Sequence, residues 1–220
     1  MRAFRLFVLA LIVLAAPLSR GIAQTCQGTA AFQDGRWRAG AFGRDNDNVS
    51  DIGASLAYGI PRSFYGEISF DNLQDAHGGP SASGPALAVG YQIHLSDTPF
   101  QVCPEVTAHL WSGDGSPIVY GFGGSLGYRV GIADWFTLVP AAGIRWLTAT
   151  TLTGTSAISS TSPGPQAIAM GSSSEVHMEI GLVFHRSLTI VPGLLIPSQN
   201  GTSSIFTLGL SINWPSDVNR

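Results

Sequence analysis

The chain has 220 residues, of which only 11% are charged, and a formal net charge of −3. All 11 basic residues are arginine and no lysine occurs, so no basic patch points to nucleic acid as a partner. Low charge, 27 glycines and a mean hydropathy of +0.23 are out of keeping with an ordinary soluble secreted protein, yet beyond the N-terminus no stretch holds the roughly 18 unbroken apolar residues of a spanning helix.

Arg2 and Arg5 precede an apolar run over 6–18, and Gly21-Ile22-Ala23 supplies small residues ahead of a cut at Gln24. These are the three parts of a secretory signal, so 1–23 is expected to be removed and 24–220 to form a single domain. That domain carries eight arginines against 14 acids, a net charge of −6.

Ten segments of period-2 alternation follow, the first weaker than the rest. The first, 36–44, sets Trp37, Ala39 and Ala41 against Arg36, Arg38 and Gly40. In the second, Ile52, Ala54, Leu56, Tyr58 and Ile60 oppose Gly53, Ser55, Ala57 and Gly59; in the third, Phe64, Ile68 and Phe70 oppose Tyr65, Glu67, Ser69 and Asp71. Leu87, Val89, Tyr91, Ile93 and Leu95 then oppose Ala88, Gly90, Gln92 and His94. Val102, Val106 and Leu110 oppose Glu105, Thr107 and His109. Tyr120, Phe122, Leu126 and Tyr128 oppose Gly121, Gly123, Ser125 and Arg129. Phe136, Leu138, Ile144 and Trp146 oppose Thr137, Gly143 and Arg145. Val176, Met178, Ile180, Leu182 and Phe184 oppose Glu175, His177, Glu179 and Gly181. Leu188, Ile190 and Leu194 oppose Thr189 and Gly193. Last, Phe206, Leu208, Leu210, Ile212 and Trp214 oppose Thr207, Gly209, Ser211 and Asn213.

Two architectures share this pattern. A soluble lipocalin-like carrier turns the apolar face inward and covers the other with large polar residues. Here the second face is crowded with glycine, alanine and serine, which suit the inside of a narrow closed barrel. The apolar face holds no Arg, Asp, Glu or His, as lipid contact requires, because a charge at mid-depth costs on the order of 2–4 kcal/mol. Its Trp37, Tyr58, Tyr91, Tyr128, Trp146 and Trp214 fall toward strand ends, where an interfacial girdle lies. The expected fold is therefore all-β, an up-and-down antiparallel transmembrane β-barrel of about ten strands, with eight the alternative count. Connection lengths agree. The odd-numbered connections, 45–50, 72–83, 112–116, 149–172 and 197–202, run to five residues or more, and 61–62, 96–99, 131–135 and 185–186 to five or fewer. Outer loops exceed periplasmic turns in such barrels, which places both chain ends in the periplasm.

The final strand, with Thr207, Gly209, Ile212 and Trp214 at its polar, glycine, apolar and aromatic positions, resembles the C-terminal signal strand of bacterial outer-membrane β-barrels. That resemblance implies the barrel-insertion machinery and outer-membrane lipid as partners; the chain departs from it by running on beyond the aromatic through 215–220. Across the mature chain the sequence resembles the small outer-membrane barrels of the OmpX and opacity-protein type, which implies a Gram-negative outer-membrane location and a role in surface contact, envelope integrity or slow solute passage.

Cys26 lies ahead of the first strand and Cys103 at the start of the fifth, both at the periplasmic end. An even pair in an exported chain is expected to form a disulfide that pins the N-terminal segment to the lower mouth. Closing a loop of this length stabilises by about 4–5 kcal/mol in the chain-entropy model.

Inward-facing charges form the one constellation: Arg145 beside Glu175, His177 and Glu179, with Arg38, Glu67, Glu105, His109 and Arg129 on other strands, together with Arg36, Asp71 and His94. A lined pore or a catalytic pocket would use them; a self-satisfied salt-bridge network filling the lumen is the alternative. His185-Arg186-Ser187 resembles the His-x-Ser element of outer-membrane lipid A deacylases, which implies a histidine base and a serine nucleophile, yet the strand order puts it in a periplasmic turn. Asp45-Asn46-Asp47-Asn48-Val49-Ser50-Asp51 alternates oxygen ligands but lacks the glycine and distal glutamate of a calcium loop. No catalytic residue, cofactor or metal is assigned. The expected function is a non-enzymatic integral outer-membrane barrel, structural or a narrow passive porin-like pore, with the lipid-modifying hydrolase and the soluble carrier as alternatives.

Overall fold

The computed structural model describes residues 25–26, 29–30, 37–46, 49–60, 64–75, 81–95, 98, 100–112, 117–151, 172–185, 187–198 and 203–214. The proposed signal at 1–23 lies outside them. Ten strands carry the fold: β1 (Trp37–Asp45), β2 (Val49–Ile60), β3 (Phe64–Asp75), β4 (Ala82–Tyr91), β5 (Phe100–Leu110), β6 (Pro117–Tyr128), β7 (Phe136–Thr151), β8 (Ser172–Phe184), β9 (Leu188–Pro197) and β10 (Ile205–Trp214). Each pairs antiparallel with the next in sequence, and β10 pairs with β1, from Phe206 opposite Asp45 to Trp214 opposite Trp37. The sheet is thus a closed up-and-down barrel with no free edge. The ten-strand count holds, not the eight-strand alternative.

Two strands continue beyond a short interruption. β4 resumes past Gln92 as Ile93–His94 in unchanged register against β5, and β6 resumes past Arg129 as Val130–Ala133, with a register shift between Gly131 and Ala133. Proline accounts for the breaks in two ladders, because it has no N–H to give. The β8–β9 ladder skips the position of Pro192, and the β4–β5 ladder stops short of Pro85 and skips Pro104. All three prolines remain paired on their other flank, with Leu208, Phe70 and Gly124 respectively.

The alternation read from the sequence becomes an outer wall and a lumen. Outward residues such as Phe122 and Val106 are 59% and 57% exposed, and every strand contributes apolar side chains to this belt. The soluble-carrier reading needs these groups packed inside, and they are not. At the end with the short turns the belt closes on aromatic pairs joined across neighbouring strands. Trp37 meets Tyr58 with ring centroids 4.7 Å apart, Phe64 meets Tyr91 at 4.6 Å, Phe100 meets Tyr128 at 5.1 Å and Phe136 meets Phe184 at 5.2 Å. Each of these pairs sits directly opposite in the ladder, where cross-strand contact is closest. Trp135 extends the last pair, with its ring 5.6 Å from Phe136.

A two-stranded ribbon, Thr25–Cys26 paired with Thr29–Ala30, precedes the barrel. Its backbone lies against β5 to β9, five consecutive strands of the ring. A segment that reaches five neighbouring strands sits within or under the mouth of the barrel rather than along its outside.

Candidate functional site: the barrel lumen

The lumen divides by height. Near the short-turn end, inward side chains fill it: Tyr65 is 0% exposed, and Gln92, Gln101, Cys103, Val139, Thr189 and Asn213 are buried around it. Toward the long-loop end a cavity of about 430 Å³ remains. Residues near the outer ends of their strands line its upper part, among them Arg44, Asn46, Trp111, Ala149 and Ser173.

Glycines on one strand make room for large side chains on the next. A Cβ on Gly90 would run into the Tyr65 ring, and one on Gly143 into the His177 imidazole. Both pairs occupy directly opposed ladder positions, so the missing side chain is what lets the bulky partner lie across the lumen.

Above the filled part, among the residues that line the cavity, hydrogen bonds cross the barrel. The Tyr65 hydroxyl donates to Glu105 Oε2 at 2.7 Å. Arg145 Nη2 donates to Glu105 Oε1 at 3.2 Å and Arg145 Nη1 to Glu175 Oε1 at 3.4 Å. One continuous chain therefore runs from β3 through β5 and β7 to β8, which lie on opposite walls of a ten-strand ring. Arg38 Nη2 on β1 pairs with Glu67 Oε2 on β3 at 2.5 Å. Buried charges are tolerated only when paired and hydrogen-bonded in this manner.

A second group sits nearer the long-loop end. Arg44 Nη1 is 3.3 Å from Asp51 Oδ2 and lies over the Phe42 ring, 4.9 Å from its centroid. His109 Nδ1 is 3.5 Å from Asp71 Oδ2, and the His109 ring stacks on Trp111 at 3.7 Å and 16°. Phe42, Trp111 and the Tyr65 hydroxyl are members of the site that alternation did not single out. Tyr65 was on the inward face but uncharged, and Trp111 sat at the edge of an expected loop.

The structure brings Arg145, Glu175 and Glu105 into contact and joins Arg38 to Glu67. Glu179 and His177 line the same cavity, but Glu179 has no ion-pair partner within 4.0 Å among the described residues. His109 belongs to the outer group, and Arg129 lies in the interruption between Tyr128 and Val130. The His94 side chain and Arg36 lie outside the described residues. Thr207, Gly209 and Asn213 of the last strand face the lumen, whereas Ile212 faces out; the Trp214 side chain and that of Cys26 lie outside the described residues. His185 occupies the β8–β9 turn at a positive φ of 49°, exposed, its N–H donating to the Trp135 carbonyl at 2.8 Å. The neighbouring Arg186 lies outside the described residues, as do 47–48 of the acidic β1–β2 connection.

A closed antiparallel barrel with an apolar outer belt, an aromatic rim and a charged lumen has the fold of the transmembrane β-barrels of the bacterial outer membrane. No protein-family model and no curated protein matches the sequence. Among solved structures, the β domain of the Bordetella autotransporter BrkA aligns with a TM-score of 0.50 at 11% identity, over 81% of this chain and 98% of that one. LpxR from Salmonella typhimurium aligns at 0.49 and 9% identity, over 83% of this chain and 85% of that one, and the NanC porin at 0.47 and 10%, over 80% and 98%. At these identities the likeness is one of fold.

Proposed function

We propose that this protein is an exported, integral outer-membrane barrel with a non-enzymatic role, whose lumen is a cup open toward the cell exterior and blocked below. The long-loop end faces outward and the short-turn end, with the N-terminal ribbon, faces the periplasm. The observation that carries the reading is the hydrogen-bonded chain from Tyr65 through Glu105 and Arg145 to Glu175, stretched between opposite walls above a layer of buried side chains. A passive solute path would have to part several charge-assisted bonds at once. The non-enzymatic reading is supported by the placement of His185, in an exposed turn beside Trp135 at the end away from the cavity.

The proposal includes a disulfide between Cys26 and Cys103 that holds the N-terminal ribbon in the lower mouth. Support comes from Cys103, which is buried and carries no free thiol, and from the ribbon's backbone, which lies against β5 and β6. The C-terminal strand is proposed as the signal read by the insertion machinery. Planar-bilayer recording of the refolded protein tests the block: the account expects no steady ohmic current at moderate voltage, and a stable open-channel conductance would overturn it.

A further inference from the structure

The cavity is more acidic than its own arginines can neutralise. Arg38, Arg44 and Arg145 line it, against Asp51, Glu67, Asp71, Glu105, Glu175 and Glu179. Arg38 is taken by Glu67, Arg44 by Asp51, and Arg145 is shared between Glu105 and Glu175. Asp71 and Glu179 are left over. Among the described residues, Asp71, 2% exposed, has one oxygen 3.5 Å from the imidazole of His109 and no hydrogen-bond partner for Oδ1. Glu179 Oε2 is likewise buried without a partner. An ionised carboxylate oxygen removed from water and left unpaired is costly, so each of these two groups is completed either by a proton or by a positively charged partner.

The shape of the site says what kind of group. Asp71 is on β3 and Glu179 on β8, opposite walls of the ring, and no three acidic, histidine or cysteine side chains converge on one point among the described residues. A bare metal ion demands such convergence. Separated anionic anchors suit a cation whose charges are themselves spaced along a chain. The walls between them include Trp111 and Phe42, aromatic rings of the kind that attract alkylammonium groups, each with one face already covered, by His109 and by Arg44 respectively. The volume of about 430 Å³ is that of a small-molecule site.

We propose that the outward-opening cup binds a small organic polycation of the linear polyamine class, anchored at its ends by Asp71 and Glu179. The inference deepens the cup reading and rests on it, but binding and conductance are separate readouts, so either can fail alone. The test is calorimetric titration of the refolded full chain in neutral detergent with spermidine at low ionic strength. Saturable one-to-one binding is expected, weakened at least tenfold in the Asp71→Asn/Glu179→Gln double variant and abolished by high salt. No saturable binding to the wild-type barrel, undiminished affinity in the folded double variant, or Mg²⁺ binding in place of spermidine would overturn the proposal. Should the double variant not fold, amide and indole NMR shifts of the wild-type protein decide. Spermidine must move the resonances of Asp71, Glu179 and Trp111, and shifts confined to the short-turn end would refute the site.

Discussion

The two ends of the lumen solve the same problem in opposite ways. Near the short turns, uncharged side chains such as Tyr65, Gln92, Val139 and Thr189 fill the interior until little space is left. Near the long loops, charged residues hold one another across open volume, as Arg44 does Asp51 and Arg145 does Glu105 and Glu175. Packing stabilises the first end through contact and exclusion of water. The second end depends on pairing, so it is tolerant of space but intolerant of losing one partner. The difference teaches where each kind of substitution should act.

Loss of the shared guanidinium should cost most. Arg145→Leu leaves Glu105 and Glu175 without their partner, and we expect a loss of about 3–5 kcal/mol in urea unfolding from lipid vesicles. A charge on the outer wall comes next: Val106→Arg should cost about 2–4 kcal/mol in vesicles, and an unchanged midpoint would mean that this position does not face lipid. Tyr65→Phe keeps the packing of the filled end and removes only its bond to Glu105; about 1.5–3 kcal/mol is expected, and a smaller loss would make the Tyr65 contact one of packing alone. The gentlest change is at the rim, where Trp37→Leu forfeits the contact with Tyr58, worth about 0.5–1.5 kcal/mol by the same assay.

Much of the wall was legible in the sequence because period 2 is a direct record of which side a residue faces. Ile52, Phe70, Val106, Phe122 and Leu210 are outside, and Arg38, Glu67, Glu105, Arg145 and Glu179 inside, as the alternation implies. The barrel reading, drawn from the small residues on the inner face, likewise anticipated closure of the tenth strand on the first. Alternation records a face but not a height or a distance across the barrel. Arg145 and Glu175 were expected to meet because adjacent strands bring them together, and they are directly opposed in the ladder. The bonds from Arg145 to Glu105 and from Tyr65 to Glu105 skip a strand each, and only the register of the whole ring sets them. Phe42 and Trp111 were missed for a related reason: an aromatic on the lumen side breaks the polar pattern, and only the glycine opposite Phe42 on the next strand, or the imidazole stacked two residues before Trp111, reveals why it fits.

All of these expectations assume that one side of the sheet meets lipid and the other encloses water and charge. Nitroxide accessibility at two neighbouring positions, in a background with both cysteines replaced by alanine, tests that assumption. A label at Leu208→Cys should be reached by molecular oxygen and not by a water-soluble nickel chelate, whereas one at Thr207→Cys should be shielded from lipid-dissolved oxygen and sense the polar cavity. A nickel-accessible 208 together with an oxygen-rich 207 would contradict the account.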